Sequence, residues 1–323
     1  MRQRQIETIY INRGIMRFVF LLFFAILTTA LHGDLDQHLK KALDKSGNHS
    51  MPGIDFIYVI NLDQRPEKWK STLDQLATYG INPYRFSGVN GWELSLETIN
   101  DVGVKFSPEM EGGLMSTYYP LNGTFAWIHE PIENYGRTYF CHCTARGTIG
   151  ISLSHISILQ DAFDSGYETI WVMEDDIEIK RDPRILSEYI EKLDQLLGKD
   201  NWDILFTDRD IRGRDGNYVP ASSAAKRPDF VSPNDFVTKT EISSDFRKIG
   251  SRYGAHSMIL RKSGIKKLLR YLQAHQLFLP YDMEYTQPPG IALYTVLDDI
   301  VTNLSKALSD NGAPFYLDKK TKE

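Results

Sequence analysis

The chain has 323 residues, 42% hydrophobic and 24% charged, which allows a sizeable buried core and matches the composition of a soluble enzyme. A formal charge of −5, with no long block of Lys and Arg, argues against nucleic acid as a partner. Cys141 and Cys143 are the only cysteines, too close in sequence to staple distant elements and too few for a structural zinc site.

The first distinct segment is FVFLLFFAILTTAL at residues 18–31, uncharged and preceded by Arg13 and Arg17. It is short for a membrane span, which takes about 20 residues. Residues 1–33 therefore read as a secretory signal peptide, with a signal-anchor or a buried N-terminal helix as alternatives, and Met16 offers a second possible start. The expectation is export or membrane attachment. Residues 34–53 are polar, end in Met-Pro-Gly and read as a linker or stalk, so the folded domain is expected at 54–323.

Residues 56–62, FIYVINL, form an apolar run of strand length, as expected of a strand covered on both faces. A helix follows, with Asp63 as its N-cap, Pro66 in its first turn, Trp69, Leu73 and Leu76 on one face, and Gly80 at its end. The alternation recurs. Residues 150–166 read as an apolar helix closed by Gly166, 169–173 as a strand, 184–198 as a helix and 203–207 as a strand; 256–261 then precede a helix at 263–275. Such alternation predicts an α/β fold, a Rossmann-like, mostly parallel sheet flanked by helices in a single domain. Two polar stretches, 100–145 and 212–247, read as functional loops or as surface insertions.

The strand at 169–173 runs into Glu174, Asp175 and Asp176. Three adjacent carboxylates repel one another, and holding them at the tip of a buried strand costs free energy unless a cation sits there. Hard oxygen ligands suit Mg²⁺ or Mn²⁺, which commonly complete their shell with water and substrate phosphates. A solvated acidic turn is the competing account. His155 lies beside Ser154 in what reads as the first turns of a helix, able to donate to a phosphate or a carboxylate, or to serve as a core histidine. Asn61 and Arg65 flank the end of the first strand, where they could hold a base, ribose or phosphate; a helix-capping arginine is the alternative. No G-x-G-x-x-G after a strand, Walker-type P-loop or H-E-x-x-H is present, and Ser154 replaces the final glycine of a nucleophile elbow.

On these residues the chain resembles glycosyltransferase family 25, the group containing the lipooligosaccharide galactosyltransferases and the collagen galactosyltransferases. The family's V-I-N-L-x-x-R opening is written here Val59-Ile60-Asn61-Leu62-Asp63-Gln64-Arg65, followed by Gly88-Val89-Asn90-Gly91 for its A-V-D-G. Its G-E-x-G-C-x-L-S-H corresponds to residues 147–155, its L-E-D-D to Met173-Glu174-Asp175-Asp176, its G-A-H to Gly254-Ala255-His256, and its P-x-D to Pro280-Tyr281-Asp282. Three positions depart: Thr148 stands for Glu, Ile151 for Cys and Asn90 for Asp.

The resemblance implies a GT-A type fold and inverting transfer of a hexose, galactose or glucose, from a UDP-sugar to a glycan, lipooligosaccharide or hydroxylysine-type protein acceptor. It implies Mn²⁺ or Mg²⁺ at Asp175 and Asp176, with Asn61, Arg65, Asn90, Ser154, His155, Glu174 and His256 around the donor. Strand alternation turns Glu174 away from Asp175, into a supporting place. Inversion requires a general base, for which Asp282 is the first candidate and Asp208 the second; either could instead cap a helix or pair with an arginine. The departures leave a second reading, a catalytically silent GT-A domain that binds a glycan or a protein partner.

Overall fold

The computed structural model describes residues 34–123, 126–221 and 225–318. The signal-like segment lies outside these residues. In chain order the elements are β1 (Phe56–Asn61), α1 (Pro66–Ala77), β2 (Tyr84–Ser87), α2 (Leu96–Val102), β3 (Val104–Lys105), β4 (Met115–Tyr118), β5 (Ile128–Pro131), β6 (Thr138–Cys141) and α3 (Arg146–Asp164). Then come β7 (Thr169–Glu174), β8 (Ile177–Ile179), α4 (Ile185–Leu197), β9 (Ile204–Phe206), β10 (Lys239–Glu241), β11 (Phe246–Ile249), β12 (Ser257–Arg261), α5 (Lys262–His275), α6 (Tyr281–Glu284), β13 (Leu293–Val296) and β14 (Val301–Asn303). Among the described residues no helix is long and apolar enough to cross a membrane.

The central sheet has eight strands in the order β10-β11-β13-β9-β12-β7-β1-β2. Its apolar runs are strands buried on both faces, and alternate residues divide between two cores. Tyr58, Ile60, Ile170, Val172 and Leu260 face one core with Leu153, Ile156 and Leu159 of α3 and Leu268 of α5. Ile57, Val59, Trp171, Met173 and Ile259 face the other with Leu76 of α1 and Leu186, Ile190 and Leu193 of α4. The result is a three-layer α/β sandwich, as strands with no polar face require.

The sheet is mixed, where a mostly parallel one was expected. β1 pairs in parallel with β2 and β7, and β9 with β13, but β12 lies antiparallel between β7 and β9, and β11 is antiparallel to β13 and β10. A doubly covered strand has the same apolar pattern whichever way it runs, so composition does not report direction. The stretch at 100–145 holds a four-stranded sheet, β3-β6-β4-β5, packed through Tyr139 and Cys141 on Phe278 and Leu279. The second polar stretch supplies β10 at the edge of the main sheet. α1 is capped by Arg65 without a side-chain hydrogen bond, and Asp63 instead accepts from Arg85 at 2.9 Å and Ser87 at 2.8 Å.

The first turns of α3 pack backbone against backbone. A Cβ at Gly150 would come 2.4 Å from Gly91 N and 2.5 Å from Val89 O, and one at Gly147 would come 2.4 Å from Asp310 O. The loop after β2 and the segment near residue 310 are thereby held against one helix. In Gly150→Ala, helix propensity alone would stabilise by about 1 kcal/mol, whereas overpacking against immobile backbone costs roughly 1–3 kcal/mol. The expected net outcome is a lower urea midpoint with an unchanged m-value; an equal or higher midpoint would show that the helix does not depend on this close approach.

Candidate active site

The chain leaves β1 through α1 to β2 on one side, then returns through α3 to β7 on the other, with the two helices on opposite faces. The connections therefore part between β1 and β7, opening a crevice beyond their carboxyl ends, the ordinary ligand position in an open α/β sheet. Ile60 is in register with Glu174, so Asn61 and Asp175 emerge side by side. The fold brings the acidic run to the crevice.

A cavity of about 570 Å³ lies there, lined in part by Arg65, Lys68, Asn90, Trp92, Ser154, Glu174, Asp175, Asp176 and Asp310. Asn61, 1% exposed, donates from Nδ2 to Asp175 Oδ2 at 2.6 Å and accepts from Arg85 Nε at 2.8 Å. Lys68 Nζ, from the first turn of α1, stands 3.6 Å from Asp175 and 3.8 Å from Asp176. Glu174 turns the other way, toward α3, with His155 Nε2 3.3 Å from its Oε1, as strand alternation requires.

One ammonium does not neutralise three carboxylates. Burial, then the charge of Asp176, pushes the Glu174 carboxyl up to about 8. Burial also pushes Asp175 up to about 7, with Lys68 and the Asn61 hydrogen bond opposing. Lys68 is itself raised: burial pulls it down, and Asp176 and Asp175 more than offset that. Among the described residues no three Asp, Glu, His or Cys side chains converge as a complete metal site. Asp175 and Asp176 nevertheless fit a hard divalent cation that draws its remaining ligands from water and a phosphorylated substrate, because the cluster is short of positive charge.

A second cavity of about 1050 Å³ shares Glu174, Asp176 and Ile151 with the first and adds His256, Tyr281, Asp282 and Thr148. Asp282 accepts from the Gly254 N–H at 2.9 Å, and burial raises its carboxyl in spite of that bond. No cation neutralises it by direct contact within the described structure. It is a carboxylate in a cavity wall with a raised affinity for protons.

Several expected donor contacts are already engaged inside the protein. Arg65 forms a bidentate pair with Asp310, Nε to Oδ2 at 2.6 Å and Nη2 to Oδ1 at 2.9 Å. Ser154 Oγ donates to Gly150 O and accepts from Val89 N, both at 2.8 Å, bracing the cavity wall. Asn90 spans Tyr316 at 3.0 Å and Trp92 N at 3.1 Å. His155 is not in the first turns of its helix, because α3 begins at Arg146. It is 1% exposed, stacks on Tyr281 with ring centroids 4.2 Å apart, and is pushed down to about 3 by burial, so it supports Glu174 as a neutral ring.

Asp208 corrects the sequence expectation more sharply. It is 0% exposed and takes hydrogen bonds from Arg252 at 2.8 Å and Thr302 at 2.8 Å, with His256 Nε2 at 2.9 Å. Burial alone would raise it, but Arg252 and His256 hold it well below the usual carboxylate range. A carboxylate so enclosed and so weakly basic cannot reach an acceptor proton. It anchors His256, whose Nδ1 is buried without a hydrogen-bond partner among the described residues. Sequence reasoning also passed over Lys68 and Asp310. Lys68 was detectable as the basic residue one helical turn after Arg65, whereas Asp310 lies in a segment with no motif.

The family model described as "Glycosyltransferase family 25 (LPS biosynthesis protein)" matches residues 54–284. A "Glycosyltransferase 25 family member" of Aedes aegypti is 27% identical over 180 residues, 55% of this chain and 25% of that protein. The human "Inactive glycosyltransferase 25 family member 3" is 26% identical over 189 residues, 57% of this chain and 27% of that one. A family member of Anopheles gambiae is 22% identical over 230 residues, 71% of this chain and 31% of its own length. The chain thus spans about a quarter to a third of the length of these relatives. The matched region contains β1, α3, β7 and Asp282, the elements that build the crevice, and the chain belongs to glycosyltransferase family 25.

Proposed function

We propose that the chain is a hexosyltransferase of GT-A type that moves galactose or glucose, with inversion, from a UDP-sugar to a hydroxyl of a glycan or protein acceptor. The observation that carries this reading is the pairing of two adjoining cavities. One is walled by Asp175, Asp176, Lys68 and Arg65, and the other by a proton-avid Asp282, with Glu174 and Asp176 common to both.

In this mechanism the nucleotide diphosphate lies in the crevice against Lys68, whose ammonium meets the negative charge that grows as the bond to the sugar breaks. Asn61 holds the Asp175 carboxylate in place. Bound Mn²⁺ or Mg²⁺, held by Asp175 and Asp176, would supply further stabilisation of the leaving diphosphate. Asp282 takes the proton from the acceptor hydroxyl as that oxygen attacks the anomeric carbon, and its raised proton affinity suits it to the task. Glu174, backed by neutral His155, sets the field between the two cavities. The N-terminal segment would deliver the enzyme to an exported or membrane-attached location.

A silent binding domain is the second reading, favoured by relatives whose names call them inactive and by Thr148, Ile151 and Asn90 at cavity positions. UDP release from a panel of UDP-sugars by residues 34–323, with Mn²⁺ and with EDTA, decides between them. Release that needs the metal and is abolished in the Asp175→Ala, Asp176→Ala double variant is the expected result. A folded protein that releases UDP from no donor, with acceptor extract present, would sink the transferase reading.

Asp282→Asn should lower kcat for transfer by about 10²–10⁴-fold while leaving the KM for the donor near its wild-type value. Retention of kcat would remove Asp282 from the role of base.

A further inference from the structure

A third cavity, of about 460 Å³, is not used by the chemistry above. Its lining includes Trp92, Trp127, His129, His142 and Arg146. It adjoins both reaction cavities, since Trp92 also lines the donor cavity and Cys143 also lines the one containing Asp282. Its outer wall comes from the small sheet: Trp127 and His129 flank the start of β5, and Thr117 lies on β4.

The lining is prearranged. Trp92 Nε1 donates to Asp310 O at 2.7 Å, which fixes its ring. Tyr119 Oη donates to Thr144 O at 3.0 Å in the floor, and His129 Nδ1 lies 3.1 Å from Thr117 Oγ1. Trp127 is 48% exposed, the only tryptophan among the exposed large apolar side chains of the described residues. Leaving an indole in water forgoes the stabilisation its burial would give, so a ligand that covers it gains that energy.

We propose that this cavity is an acceptor subsite that takes a pyranoside ring, and hence that the acceptor is a carbohydrate. A pyranose has an apolar C–H face for an indole and a rim of hydroxyls for imidazole, hydroxyl and guanidinium groups. Two indoles, two imidazoles and a guanidinium in the lining supply both kinds of partner. The proposal rests on the transferase reading only in calling the bound sugar an acceptor.

The test is saturation-transfer NMR with methyl β-galactopyranoside, methyl β-glucopyranoside, lactose, cellobiose and free 5-hydroxylysine, on wild type, Trp127→Ala and Trp127→Phe. Expected is transfer to ring protons of at least one pyranoside, affinity weakened about tenfold in Trp127→Ala and largely kept in Trp127→Phe, with thermal midpoints unchanged. No pyranoside binding, binding indifferent to Trp127→Ala, or binding of hydroxylysine alone would overturn the subsite. Wild-type UDP release is read separately. Sugar binding without UDP release leaves the subsite standing and removes the transferase reading, and UDP release without sugar binding does the reverse.

Discussion

The crevice is organised around a shortage of positive charge. Glu174, Asp175 and Asp176 stand at the tip of β7 with Lys68 as the nearest cation, and a buried cluster of this kind binds either protons or an external cation. The neighbouring structure manages that charge in pieces. β1 brings the Asn61 amide, α1 brings Lys68, and α3 brings a histidine that burial keeps neutral. The parting of connections between β1 and β7 is what allows three elements to meet there.

Carboxylates of the same kind serve opposite ends within this site. Asp208 is fully enclosed and fully paired, so it stays ionised and rigid, the behaviour expected of a structural charge. Asp282 is held by one backbone N–H in a cavity wall and is raised by burial. Environment alone separates the two, one a fixed structural charge and the other a group of raised proton affinity. His256 joins the two regions: its Nε2 faces Asp208, and the residue lines the cavity that contains Asp282.

Much of this was legible in the residues. The apolar run before Asn61, the helix after Pro66 and the strand ending in acid are local patterns, and each became the element it resembled. Strand direction was not legible, because β12 buried on both faces reads alike in either sense. The small sheet escaped because its strands are two to four residues long, too short for periodicity to register. The enclosure of Asp208, the second candidate base, was not legible, because its place after a strand says nothing about Arg252, which arrives from 44 residues downstream. The pairing of Arg65 with Asp310, 245 residues apart, was invisible for the same reason.

That last contact has a consequence for where the working unit stops. Residues 309–311 wall the first cavity, neutralise Arg65, hold the Trp92 ring and press on Gly147, yet they lie beyond the family match at 54–284. The stretch recognisable by descent is therefore smaller than the stretch needed to close the pocket. A chimera that swapped only the matched region between relatives would inherit its acidic crevice from one parent and part of the cavity wall from the other, so ligand preference would depend on a segment outside the family match.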